Sequence, residues 1–136
     1  MNDNEVIVYK LRQIKNMLSG YLVRVLPQYG ITPIMMYTIE FLRRNAEAKA
    51  VDVANEFGLT RGAVTQLLDK LEEQGLVIRK PHPTSRRSLQ IHITNKGNEL
   101  VDAILNAYNQ EIDKLIKPYS SDDLALLRQL LDKLPL

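Results

Sequence analysis

The sequence predicts a mostly α chain with one small β-hairpin. Apolar residues recur at helical spacing through most of the chain, the period turns to alternation only between Leu76 and Thr94, and glycine or proline marks the breaks. The 136 residues are 45% hydrophobic and 25% charged, which suits one compact domain over 1–136 that buries about two-thirds of its unfolded surface. With no cysteine, a disulfide scaffold, a cysteine-zinc site and a thiol redox switch are excluded.

The elements follow in order. From Glu5 to Leu26, the stripe Ile7, Leu11, Ile14, Leu18, Leu22 and Val25 reads as a long amphipathic helix. Pro27 to Ile31 breaks it. Thr32-Pro33 then supplies a hydroxyl cap and a proline at the first helical position for a second helix ending near Arg44, with Ile34, Tyr37, Thr38, Phe41 and Leu42 as its expected buried face. A short helix over Val51 to Phe57, stopped by Gly58, and a second over Arg61 to Gln74, capped by Thr60, are the parts of a helix-turn-helix. The apolar face of the latter is Val64, Leu67, Leu68 and Leu71.

Leu76 to Lys80 and Ser88 to Thr94 read as two strands, with Leu89, Ile91 and Ile93 facing in and a basic tip over Pro81 to Arg87. Thr94 caps a further long helix that Pro118 ends, and Ser120-x-x-Asp123 opens a last, leucine-rich one. The result is a winged helix-turn-helix core over 33–97, flanked by helices over 1–32 and 98–136. Three amphipathic helices outside the core cannot readily cover one another, so they are expected to pair two copies into a homodimer.

Charge locates the expected ligand. The net charge of +2 hides a segment, Gln74 to Asn98, that holds five cations and no carboxylate, against −3 for the rest. Such a block is the electrostatic footprint of a polyanion contact. On the second helix of the motif, Gly62, Thr65, Gln66 and Asp69 lie opposite the apolar face, where a DNA major groove would be met. The Gln66 amide can bond adenine N6 and N7 together, Ala63 or Thr65 can touch a thymine methyl, and Arg61 can reach guanine or phosphate. Gly62 leaves room for close backbone approach to a phosphate. Arg86 and Arg87 at the hairpin tip suit a narrow minor groove, while Lys70, Arg79, Lys80 and Lys96 suit phosphates. A symmetric dimer on double-stranded DNA then calls for a pseudo-palindromic operator with half-sites about one turn apart.

The run from Gly58 to Val77, GLTRGAVTQLLDKLEEQGLV, followed by Arg79-x-Pro81-x-Pro83-x-Ser85-Arg86-Arg87 and Ile93-Thr94-x-Lys96-Gly97, resembles the winged helix-turn-helix regulators of the MarR family. The resemblance implies a dimeric transcription regulator, commonly a repressor relieved by a small, often aromatic ligand. It also places Ser85 where the family usually has an aspartate paired with the arginine two residues on, here Arg87. Serine accepts a hydrogen bond there but brings no charge. Gly62 and Gln66 replace the polar or basic residues frequent in the family, so sequence preference is expected to differ.

Other chemistries find little support. There is no phosphate-cradling glycine loop, no His-Glu-x-x-His run and no cysteine nucleophile, so no enzyme is expected. His82 and His92 lack the clustered acids or thiols of a metal site, and no cofactor is expected. Tyr9, Tyr21, Tyr29, Tyr37, Met35 and Met36 are candidates to line a ligand pocket, with core packing the plainer role for each. The start, Met1-Asn2-Asp3-Asn4-Glu5, lacks the basic stretch of a secretory signal, and no window reaches about 20 apolar residues, so a soluble, cytoplasmic protein is expected. The competing function is a winged-helix module that binds another protein and DNA only weakly.

Overall fold

Side-chain caps set where the helices begin. In the computed structural model, which describes residues 1–81, 83–84 and 89–136, Asn2 accepts from the Glu5 amide at 2.9 Å and starts α1 (Asp3–Val25). Leu26–Tyr29 forms a single 3-10 turn, and Thr32 and Pro33 then open α2 (Pro33–Arg44) as the sequence predicts. Lys49 precedes α3 (Ala50–Phe57), its amide donating to Asp52 Oδ2 at 2.8 Å. Thr60 accepts from the Ala63 amide at 3.1 Å to begin α4 (Arg61–Glu73).

The chain then forms β1 (Val77–Pro81) and β2 (Leu89–Ile93), antiparallel, with Val77 opposite Ile93, Arg79 opposite Ile91 and Pro81 opposite Leu89. Both strands fall within a residue of their expected limits. Only Ile91 of the three expected inward residues is fully buried; Ile93 is half-buried, and Leu89 is exposed in the last pair of the ladder, opposite Pro81. The Thr94 hydroxyl donates to the Gly75 carbonyl at 2.6 Å and accepts from the Gly97 amide at 3.0 Å, tying the end of the hairpin to α5 (Asn95–Ile116). A Ser120–Asp123 capping box starts α6 (Ser121–Leu131).

The chain divides into two units, Met1–Ile104 and Leu105–Leu136, with the boundary inside α5. The core of the first is Leu26, Met36, Ile39, Val53, Val64, Leu71, Leu76, Val77, Val101 and Ile104, all essentially inaccessible. Phe41 and Phe57 meet edge to face with centroids 5.9 Å apart, joining α2 to α3.

One face differs from expectation. In α2 the buried residues are Met35, Met36, Thr38, Ile39 and Leu42, while Tyr37 is 38% exposed and Ile34 and Phe41 are half-buried. Apolar residues surround this helix, so spacing alone leaves its rotation open. Thr38 is buried at no cost in lost hydrogen bonding, since its hydroxyl donates to the Ile34 carbonyl at 2.6 Å. Met35 and Met36 are core residues, the plainer of their two expected roles.

Much of α1 lies uncovered in a single chain. Leu22 is its one buried residue, whereas Ile7, Leu11 and Ile14 are 55%, 49% and 46% exposed. In the second unit, α6 has no buried residue, and Leu126, Leu127, Leu130 and Leu131 are exposed. Among the described residues no helix is long and apolar enough to cross a membrane.

Candidate nucleic-acid interface

The turn between α3 and α4 fixes the surface that matters. Gly58 has φ 64°, a left-handed conformation that costs a side-chain-bearing residue about 1–2 kcal/mol. The Leu59 amide then closes onto the Ala54 carbonyl at 2.9 Å and its half-buried side chain fills the turn. With Val64, Leu67, Leu68 and Leu71 held in the core, α4 is left with Arg61, Gly62, Thr65, Gln66, Asp69 and Lys70 outside. The expected outward face is thus the observed one, and Ala63 lies half-buried at its edge.

Local hydrogen bonds sharpen what these groups offer. The Thr65 hydroxyl donates to the Arg61 carbonyl at 3.0 Å, so its polar end is engaged within the helix. The Thr60 oxygen is used as an acceptor by the cap, while its own proton is available to an external acceptor such as phosphate. A Cβ at Gly62 would meet nothing within 4 Å, so packing does not demand glycine there; the gap is open to an approaching backbone.

The hairpin and the start of α5 bring cations to the same region, but two of them, Arg79 and Lys96, are engaged within the protein. Arg79, expected on phosphate, donates from Nη2 to Asp69 Oδ1 at 2.6 Å and from Nε to Glu72 Oε2 at 2.5 Å. These carboxylates hold its guanidinium pKa above the ordinary arginine value, Asp69 contributing most, with burial opposing them. Lys96, also expected on phosphate, donates to the Gln74 carbonyl at 2.8 Å, where an ammonium satisfies the carbonyl end of α4. Lys70 and Lys80 remain exposed. Ser85, Arg86 and Arg87, like His82, lie outside the described residues.

Two features go beyond what the sequence predicts. Asp69 and Glu72, spaced i and i+3 on α4, form a receptor for Arg79; their spacing beside a cationic strand was the available signal. Gln74 also donates to the Gly30 carbonyl at 2.9 Å, fastening the end of α4 to the loop before α2. A cavity of about 300 Å³ opens between α3, α4 and the hairpin, lined by Lys49, Thr65, Leu68, Arg79, Leu89 and Ile91. His92 is half-buried beside Gln90, and among the described residues no group of histidines and acids could hold a metal.

A glycine-turned helix pair whose second helix shows a polar outer face, followed at once by a two-stranded hairpin, defines a winged helix-turn-helix DNA-binding protein. Residues 29–88 match the MarR family model. The chain is 30% identical over 116 residues to the uncharacterized HTH-type transcriptional regulator YkoM of Bacillus subtilis (strain 168), covering 85% of this chain and 75% of that protein. It belongs to the MarR family of transcription regulators and is not an enzyme. HTH-type transcriptional regulator MhqR of the same organism is 27% identical over 119 residues, 88% of this chain and 82% of that protein. A MarR family protein from Bacillus stearothermophilus superposes with a TM-score of 0.85 at 21% identity, over 98% of this chain and 94% of that one. Family membership favours DNA over the protein-interaction alternative.

Proposed function

We propose that the chain acts as a homodimeric repressor, its two α4 helices reading the halves of a pseudo-palindromic operator, and that a small non-covalent ligand relieves repression. The observation that carries the dimer is the uncovered stripe Ile7, Leu11 and Ile14 on α1, joined in the second unit by the exposed leucines of α6. Apolar patches of this extent are seldom left to water by a soluble protein, and a self-complementary pairing covers each stripe with its own copy. Two copies give α4 the two-fold repeat that an operator with half-sites about 34–36 Å apart requires.

Within each half-site, Gln66 reads an adenine, Thr65 and Ala63 meet thymine methyls, and Arg61 with Thr60 holds the flanking phosphate or guanine. Lys70 and Lys80 anchor phosphates, and the tip residues Arg86 and Arg87 enter the minor groove beside it, Ser85 supporting them. The cavity of about 300 Å³ beside α4 has room for a single substituted aromatic ring. Such a ligand relieves repression only if it binds the DNA-free arrangement more tightly. The protein works in the cytoplasm, with the DNA. Sedimentation of the purified chain tests the reading: a dimer at micromolar concentration, joining an operator duplex as two chains, is expected, and a monomer under both conditions contradicts it.

A further inference from the structure

A DNA-reading helix should not repel DNA, yet α4 carries Arg61 and Lys70 against Asp69, Glu72 and Glu73, a net of −1. Asp69 stands on the outer face and its side chain is 57% exposed; Glu72 is 39% exposed. Left alone, these carboxylates would face a surface bearing one negative charge per about 1.7 Å of duplex. Arg79 reaches both from the neighbouring strand, giving Nη2 to Asp69 and Nε to Glu72, and is itself only 23% exposed. A guanidinium suits this place because its fork satisfies two acceptors at once and keeps its charge at any pH the fold survives.

We propose that Arg79 is a positioning residue of the DNA interface that contacts no DNA and acts through Asp69 and Glu72, cancelling the charge that would repel the phosphates from α4. Its charge is spent inside the protein. The contrast with a phosphate contact is sharp, because a phosphate-binding arginine adds to the counterions released on binding and a masking one does not. The inference rests on the DNA-binding reading above.

The test measures binding of the full-length chain to the duplex it selects, across a salt series, for wild type, Arg79→Met, and the combined Asp69→Asn, Glu72→Gln, Arg79→Met variant. Thermal unfolding checks that each chain folds. Arg79→Met is expected to weaken binding about tenfold at low salt, because two carboxylates are unmasked. The combined variant is expected to recover most of that loss with the wild-type salt slope. If the loss persists in the folded combined variant and the slope shrinks by about 0.9, Arg79 is a phosphate contact and the inference is overturned. Should Arg79→Met fail to fold, the combined variant against wild type still decides, since it lacks Arg79 altogether. A wild-type chain that binds no duplex removes the function reading as well as the inference; binding without recovery removes only the inference.

Discussion

Gly97 packs directly on the main chain of Leu76: a Cβ placed at 97 would lie 2.3 Å from the Leu76 carbonyl oxygen and 2.9 Å from Ile93 Cγ2. This contact seats the start of α5 on the end of the winged unit, next to the Thr94 hydroxyl that bridges Gly75 and Gly97. Neither neighbour is a flexible tip that could swing away. Gly97→Ala is therefore expected to destabilise the fold by about 1–3 kcal/mol, the usual cost of overpacking. Urea unfolding reads it as a lower midpoint at unchanged slope; an unchanged midpoint would mean α5 does not depend on this approach.

Gln66 stands exposed on the outer face of α4, between one and two turns in from the Thr60 cap. Gln66→Ala is expected to relax the base preference at one position of each half-site by about 1–3 kcal/mol. Competition between duplexes differing at single positions measures it. A loss equal for all sequences would make Gln66 a backbone contact instead.

Arg87 belongs to the basic tip that the sequence assigns to the minor groove. Arg87→Ala is expected to weaken operator binding roughly tenfold, the worth of one charge-assisted contact, while sedimentation still shows a dimer. The change Ser85→Asp, which restores the charge usual in the family, is expected to be tolerated when Arg87 is present to pair with it and to weaken binding further in the Arg87→Ala background, where the carboxylate is unpaired beside the phosphates. Binding unaltered by Arg87→Ala would remove the tip from the interface.

Leu11 lies in the middle of the exposed α1 stripe. Leu11→Glu places a charge in the proposed subunit contact and is expected to raise the dimer dissociation constant at least about tenfold, with helix content unchanged because the residue is not part of a single chain's core. Sedimentation equilibrium and circular dichroism together check both halves of that statement. An intact dimer would mean the α1 stripe is not in the contact.

The legible parts of this protein were those with local causes. Thr32, Thr60 and Ser120 each cap a helix through their own hydroxyl, and Gly58 marks its turn by backbone geometry alone, so their places follow from a few neighbouring residues. The outer face of α4 was equally plain, because four apolar residues at helical spacing fix its rotation. The rotation of α2 was not, since Ile34, Met35, Met36, Tyr37, Ile39, Phe41 and Leu42 offer several apolar faces and only the packed partners choose among them. In the sequence Arg79 and Lys96 are simply cations suited to phosphate. The partners of Arg79 lie 10 and 7 residues away in the chain and that of Lys96 lies 22 away, and composition cannot say which carboxylate or carbonyl the fold will bring to them.

Selection of bound sequences from a random pool of DNA duplexes tests the central claim, a symmetric dimer reading two half-sites through α4, most directly. The account predicts enrichment of a two-fold symmetric motif with half-site centres about one helical turn apart, each half carrying an adenine that Gln66→Ala no longer selects. A pool that returns no enriched motif, or a single unrepeated half-site, would contradict it.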